Sequence, residues 1–287
     1  MATLVLNVPY GGLLMPKGVQ KRLNLKPEEL GWENFRLTDP CLLELITKAA
    51  QGGELTGFLG KKSLPQRDLV AYRYSPLVSD PLGYLSAQLQ NGDKGSPQFI
   101  RTSTQGQDFP SLSPEEEDLI LKKSSLSYLS ELRDACVKAL DTGTLVLLLT
   151  LRSYSSRPWN YETDRRYPRP QLCIGGNVEE RTPHGLASFI GRTFRIFNFW
   201  PELNWPHDSA FVPEGLRNQP RLFAACLSFR RDLYMDEKTG RLAPGHSSLI
   251  RILRTVFSLL EEELESVLRI RYRRKHPPKP PSMVIKN

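Results

Sequence analysis

The stretch from Thr144 to Ser156 constrains this chain more than any other. It opens as an unbroken apolar run, Leu145-Val146-Leu147-Leu148-Leu149, and ends abruptly in Arg152, Ser153, Tyr154, Ser155 and Ser156. A continuous Leu/Val run of this length reads as a strand covered on both faces, the signature of a central sheet packed between helices. It is too short to cross a membrane. Open α/β sheets keep their ligands beyond the carboxyl ends of the strands, which places Arg152 and Ser153 at the edge where chemistry belongs. The fold class expected is therefore a three-layer α/β sandwich with a central, mostly parallel or mixed sheet.

The rest of the chain supplies elements that fit such a sheet. Leu4 to Pro9 reads as a short strand stopping in a Tyr10-Gly11-Gly12 turn, its two glycines free to take positive φ. A helix is expected from Cys41 to Ala50, with Thr38 or Asp39 as its cap and Pro40 at the first helical position. Residues 54–58 and 68–74 read as strands, and 80–112, rich in Gly, Ser, Gln and Pro, as an irregular insertion or lid. Ser113-Pro114-Glu115-Glu116 is a capping-box start for one helix running to about Leu140. Strands are expected over 172–177 and 221–229, and helices over 186–197 and from Ser247 to Arg271. The domain reading is a single α/β domain over 1–268 and a basic, proline-rich, disordered tail over 269–287.

Composition narrows the class. Apolar content of 39% and charged content of 24% in 287 residues suit a globular protein with a substantial core. No run reaches the length of a spanning helix, and Met1 to Leu6 lacks the basic lead of a secretory signal or the Arg/Ser-rich lead of a transit peptide. Cys41, Cys136, Cys173 and Cys226 are scattered without a C-x-x-C pair, as reduced thiols in a cytoplasmic setting would be. The net charge of +8 is largely local, carried by Arg269, Arg271, Arg273, Arg274, Lys275 and Lys279. Those cations favour an acidic protein or an anionic ligand as partner, with RNA a further possibility. They also complement the dipole at a helix end.

Five stretches, in order, resemble the N-formylglutamate amidohydrolase family. Val8-Pro9-Tyr10-Gly11-Gly12 is similar to that family's strand ending in Pro-His-x-Gly, and Leu37-Thr38-Asp39 to its Asp-Thr-Asp before a helix. Tyr72 to Pro81 is similar to a Ser-Arg strand leading to Asp-x-Asn-Arg-Pro, and the central strand stands where the family has Asp-x-His-Ser. Ala224 to Ser228 followed by Leu233-Tyr234-Met235-Asp236-Glu237 resembles a strand bearing a glutamate and then a Leu-Tyr-Met-Asp-Glu segment. The resemblance implies a zinc-carboxypeptidase-like fold and metal-dependent hydrolysis of a linear amide.

The departures decide the functional expectation. The two histidines and the glutamate that the resemblance implies as metal ligands are here Tyr10, Arg152 and Ser228; Thr150 replaces the aspartate of Asp-x-His-Ser, and Leu77, Ser79 and Asp80 fill the Asp-x-Asn-Arg segment. A guanidinium has no lone pair to give a metal. The expectation is a catalytically inactive relative acting as a binding or scaffold module, with no metal and no cofactor. Asp39, Arg73, Arg152 and Ser153 are its candidate ligand-binding residues. Arg152 is expected either to pair with Asp39 across the vacated cavity or to join Arg73, Arg157, Arg165, Arg166 and Arg169 in a cationic pocket. Two alternatives stand beside it: an active amidohydrolase on N-acyl amino acids with zinc held by some of Asp39, Asp80, His184 and His207, and an RNA- or complex-associated subunit using the basic tail. Ser153, Ser155 and Ser156 lack a nucleophile elbow and read as turn hydroxyls; Asp236 and Glu237 read as structural groups.

Overall fold

A computed structural model describes residues 2–57, 60–85, 98–176 and 181–275. The central run becomes β5 (Val146–Tyr154), whose residues are buried with the exception of the half-buried Ser153. Around it forms a six-stranded sheet in the order β4-β1-β5-β8-β6-β7, from β1 (Thr3–Val8), β4 (Asp68–Ala71), β6 (Leu172–Gly175), β7 (Glu202–Leu203) and β8 (Leu222–Arg230). β4, β1, β5 and β8 run parallel; β6 is antiparallel to β8 and parallel to β7. The sheet is therefore mixed, as the sequence allows.

Alternation along the strands sorts side chains onto two cores. Leu147, Leu149 and Leu151 pack with α3 (Pro40–Ala50), α6 (His184–Arg195) and the long α7 (Gly245–Lys275). Val146 and Leu148 face α5 (Ser125–Asp141), through Tyr128, Leu132 and Cys136. A third cluster, including Tyr10, Val19, Leu23, Leu37 and Leu77, lies under α1 (Lys17–Leu23) and α2 (Pro27–Leu37). The layers are those of an α/β sandwich, and none of the described helices is long and apolar enough to cross a membrane.

Several local expectations meet their physical limits here. Asp39 caps α3, its Oδ1 accepting from Leu42 N at 2.7 Å, with Pro40 next, while Thr38 ends α2 instead. The Ser113–Glu116 capping box forms, but the helix it starts, α4 (Pro114–Lys123), stops at Ser124 and α5 begins anew. Ser124 and Ser125 turn their hydroxyls onto Ser79 Oγ, at 2.8 and 2.6 Å, and Tyr72 OH joins the group at 2.7 Å. This buried hydroxyl cluster outweighs helix continuity. Neither Gly11 nor Gly12 has positive φ; Gly12 is required because an added Cβ would lie 2.2 Å from the Arg73 carbonyl carbon. Residues 60–64 add an unexpected strand, β3 (Gly60–Leu64), paired antiparallel with β2 (Gly53–Gly57).

Of the insertion expected over 80–112, residues 86–97 lie outside the described ones; 98–112 is irregular with one bridge, Thr102 to Asp108. The last helix continues to Lys275, so 269–275 is helix rather than disordered tail, a correction explained by continued helix-forming Arg and Lys up to the first prolines. The side chains of Arg269, Arg271, Arg273, Arg274 and Lys275, and all of 276–287, lie outside the described residues.

Because β5 is packed from both faces, Leu149→Ala should cost about 2–5 kcal/mol, read as a lowered denaturant midpoint with little change in slope.

Candidate functional site

The carboxyl ends of β1, β5 and β8 bring the expected residues together. In register, Arg152 of β5 stands beside Ser228 of β8, and Ser228 beside Cys173 of β6. Tyr10 leaves β1 toward the same edge. Tyr10, Asp39, Arg152 and Ser153 line one cavity with Tyr84, His207 and Arg231; Ser228 lies just behind it, its Oγ 2.9 Å from His207 Nδ1. Arg73 is the exception: its side chain is exposed and takes no part in the cavity wall. Arg157, Arg165 and Arg166 are exposed as well, so the expected crowd of arginines does not converge.

Arg152 does not pair with Asp39. Its Nε lies 3.2 Å from Cys226 Sγ, one terminal nitrogen donates to Ser209 O at 3.3 Å, and its guanidinium sits 4.5 Å from the centre of the Tyr84 ring. The reason is orientation: Arg152 shares the α5-facing side of the sheet with Cys226 and Ser228, and Ser153 points the opposite way. Asp39 takes Arg231 instead, at 3.5 Å. Arg231 also donates to Ser153 Oγ at 3.1 Å, Phe35 O at 2.7 Å and Thr38 O at 3.1 Å. Tyr234 OH donates to the second Asp39 oxygen.

Asp80 and Asp39 are each held by a phenol. Tyr10 OH donates to Asp80 Oδ1 at 3.0 Å, and Tyr234 to Asp39. Burial, followed by the adjacent carboxylate, pushes each phenol well above the usual tyrosine range, so both stay protonated. Burial, then the nearby Arg152 and Arg169 cations, holds His207 well below the usual histidine range. The imidazole is neutral and wedged edge-on between Tyr84 and Tyr154. Arg169, buried, is engaged by Glu162 and Ser155 O.

Zinc needs three donors with lone pairs turned to one point. Here the corresponding positions offer a protonated phenol, a cation and a hydroxyl already bonded to His207, and they do not fit the metal. Among the described residues, no three of His, Cys, Asp and Glu gather in a group that could hold a metal ion. His184 lies exposed at the start of α6, outside the cavity wall. The free space is about 40 Å³, room for a few waters.

His207, expected only as a possible zinc ligand, instead packs against Tyr84 and bonds Ser228. Two participants lie outside the expected set: Tyr84 falls in the stretch expected as an irregular insertion, and Arg231 sits unremarked between β8 and the Leu233–Glu237 segment. That segment's structural reading agrees with the geometry: Glu237 accepts from Ser156 N at 2.7 Å, and Asp236 from Lys238 N and Thr239 N.

Two outcomes follow from these contacts. Arg231→Met strands Asp39 in the interior and should cost about 3–5 kcal/mol, measured by denaturant unfolding, with a conservative Arg231→Lys recovering only part because it lacks the planar fork. The depressed His207 pKa makes the unfolded chain the better proton acceptor below its ordinary value of 6.5. Stability should therefore fall as pH drops from 6.5, by up to roughly 1.4 kcal/mol per pH unit, until the folded imidazole protonates. Unfolding of His207→Asn against pH should lack that contribution.

No protein-family model and no curated protein sequence matches this chain. Among solved structures, the N-formylglutamate amidohydrolase of Ralstonia eutropha JMP134 aligns over 96% of this chain and 94% of its own, at 21% identity and a TM-score of 0.64. An Agrobacterium tumefaciens gene product aligns over 91% and 92%, at 18% identity and a TM-score of 0.61. The chain thus has, over most of its length, the fold of an N-formylglutamate amidohydrolase.

Proposed function

We propose that this chain is a non-hydrolytic relative built on the N-formylglutamate amidohydrolase fold, kept as a binding or scaffold module. The observation that carries the reading is the chemistry at the carboxyl edge of the sheet. Zinc-dependent amide hydrolysis needs an open metal position that binds and activates water. At that edge Tyr10 donates rather than ligates, Arg152 brings a fixed positive charge, and Ser228 is spent on His207. A permanent cation also repels the metal it would have to neighbour.

Size supports the same reading. Tyr84 against Arg152 fills the space, and a cavity of about 40 Å³ does not admit an acylated amino acid. A hydrolase rebuilt on Asp39, Asp80 and His207 is less well supported, because both carboxylates are occupied by phenols and the imidazole faces a hydroxyl. Four free cysteines suit a reducing, cytoplasmic setting.

Metal analysis of protein purified in the presence of zinc, together with an assay on N-formylglutamate, tests the proposal. The expected result is metal far below one equivalent and no turnover above background. Stoichiometric zinc with hydrolysis would overturn it.

A further inference from the structure

Helix α4 has no buried residue, although it carries apolar side chains. Glu116, Leu119, Ile120 and Lys123 recur at helical spacing and share one face. All four line a groove of about 470 Å³ whose other wall, α1, contributes Val19 and Arg22. Leu119 is 53% exposed. The volume lies within the range of small-molecule sites, and the groove is separate from the cavity at the sheet edge.

Charge says what would occupy it. Glu116 is committed locally, its carboxylate accepting from Ser113 N at 2.9 Å. Arg22 gives one nitrogen to Pro110 O at 2.8 Å, while its Nε is buried without a partner. Burial, then the like charge of Arg101, weakens the hold of Arg22 on its proton, so a nearby anion would relieve it. Among the described residues Lys123 has no ion pair. Arg101 is paired with Glu117, so Arg22 and Lys123 against Glu116 leave a single positive charge, which a monoanion neutralises and a dianion overshoots.

We propose that this groove binds an amphipathic monocarboxylate, with its carboxylate against Arg22 and Lys123 and its hydrocarbon along Val19, Leu119 and Ile120. The ligand would cover the apolar face that the fold leaves open and place an anion beside the Arg22 guanidinium.

Calorimetric titration of the full chain with decanoate, below its micelle-forming concentration, tests this. Saturable binding is expected, with decyl phosphate and decanol weaker and decyltrimethylammonium absent. Leu119→Asp and Lys123→Glu, both on the exposed helix face, should each weaken decanoate by roughly tenfold or more without lowering Tm. The proposal is overturned by no saturable binding, by equal binding of the cationic amphiphile, or by folded variants that bind as tightly as the parent. Tighter binding of decyl phosphate overturns the choice of a monocarboxylate.

Discussion

The frame of the site depends on one buried guanidinium. Arg231, at the exit of β8, reaches Asp39, Ser153 and the carbonyls of Phe35 and Thr38 at once. Those carbonyls close α2 and therefore carry its partial negative end, where a cation is favoured; Asp39 sits at the positive start of α3, where an anion is favoured. A single ion pair thus satisfies two helix ends and ties both to β5. Removing water from such charges is costly unless every donor finds an acceptor, and here the acceptors come from separate parts of the chain. The junction of α2 and α3 can hardly move without breaking several bonds together.

Arg152 follows a different logic a few residues away. Its direct partners are a thiol, a serine and an aromatic face, so its charge is not cancelled by a bonded carboxylate and is felt by its neighbours. That field helps keep His207 neutral. Asp39 and Asp80 are capped by phenols whose own acidity is suppressed by burial, and Glu162, which also lines the cavity, is taken by Arg169. Asp39, Arg152 and His207 each bond a side chain or a backbone group, while Arg169 Nε is buried without a partner. Hydrogen bonds made in such a buried setting rigidify the frame around the cavity.

How much of this was legible follows from which forces are local. β5, the Asp39 cap with Pro40, and the Ser113–Glu116 box are written in adjacent residues, and the structure reproduces them. The convergence of Tyr10, Asp39 and Arg152 was legible too, because parallel strands deliver their carboxyl ends to one edge. The partners were not. Whether Arg152 or Arg231 meets Asp39 turns on which face of the sheet each side chain takes at the strand's last residues. The break at Ser124 depends on Ser79 and Tyr72, distant in sequence, and nothing within the helix announces it. Arg73 looked like part of the site because its place in the motif matched, yet the strand ends before it and its side chain faces solvent.

That contrast bears on how a retained residue should be read. Asp39 stands where the resemblance has an aspartate, which invites a catalytic interpretation. Its oxygens, however, are accounted for by Leu42 N, Tyr234 OH and Arg231. A helix cap and a buried ion pair explain it without any substrate. Glu237 behaves alike, since Ser156 takes both of its oxygens. Such groups hold the architecture whether or not amide chemistry takes place, so their presence says nothing about turnover. The informative positions are those with chemistry but no architectural duty, and at Tyr10, Arg152 and Ser228 this chain places a protonated phenol on Asp80, a guanidinium against Cys226 and a hydroxyl on His207.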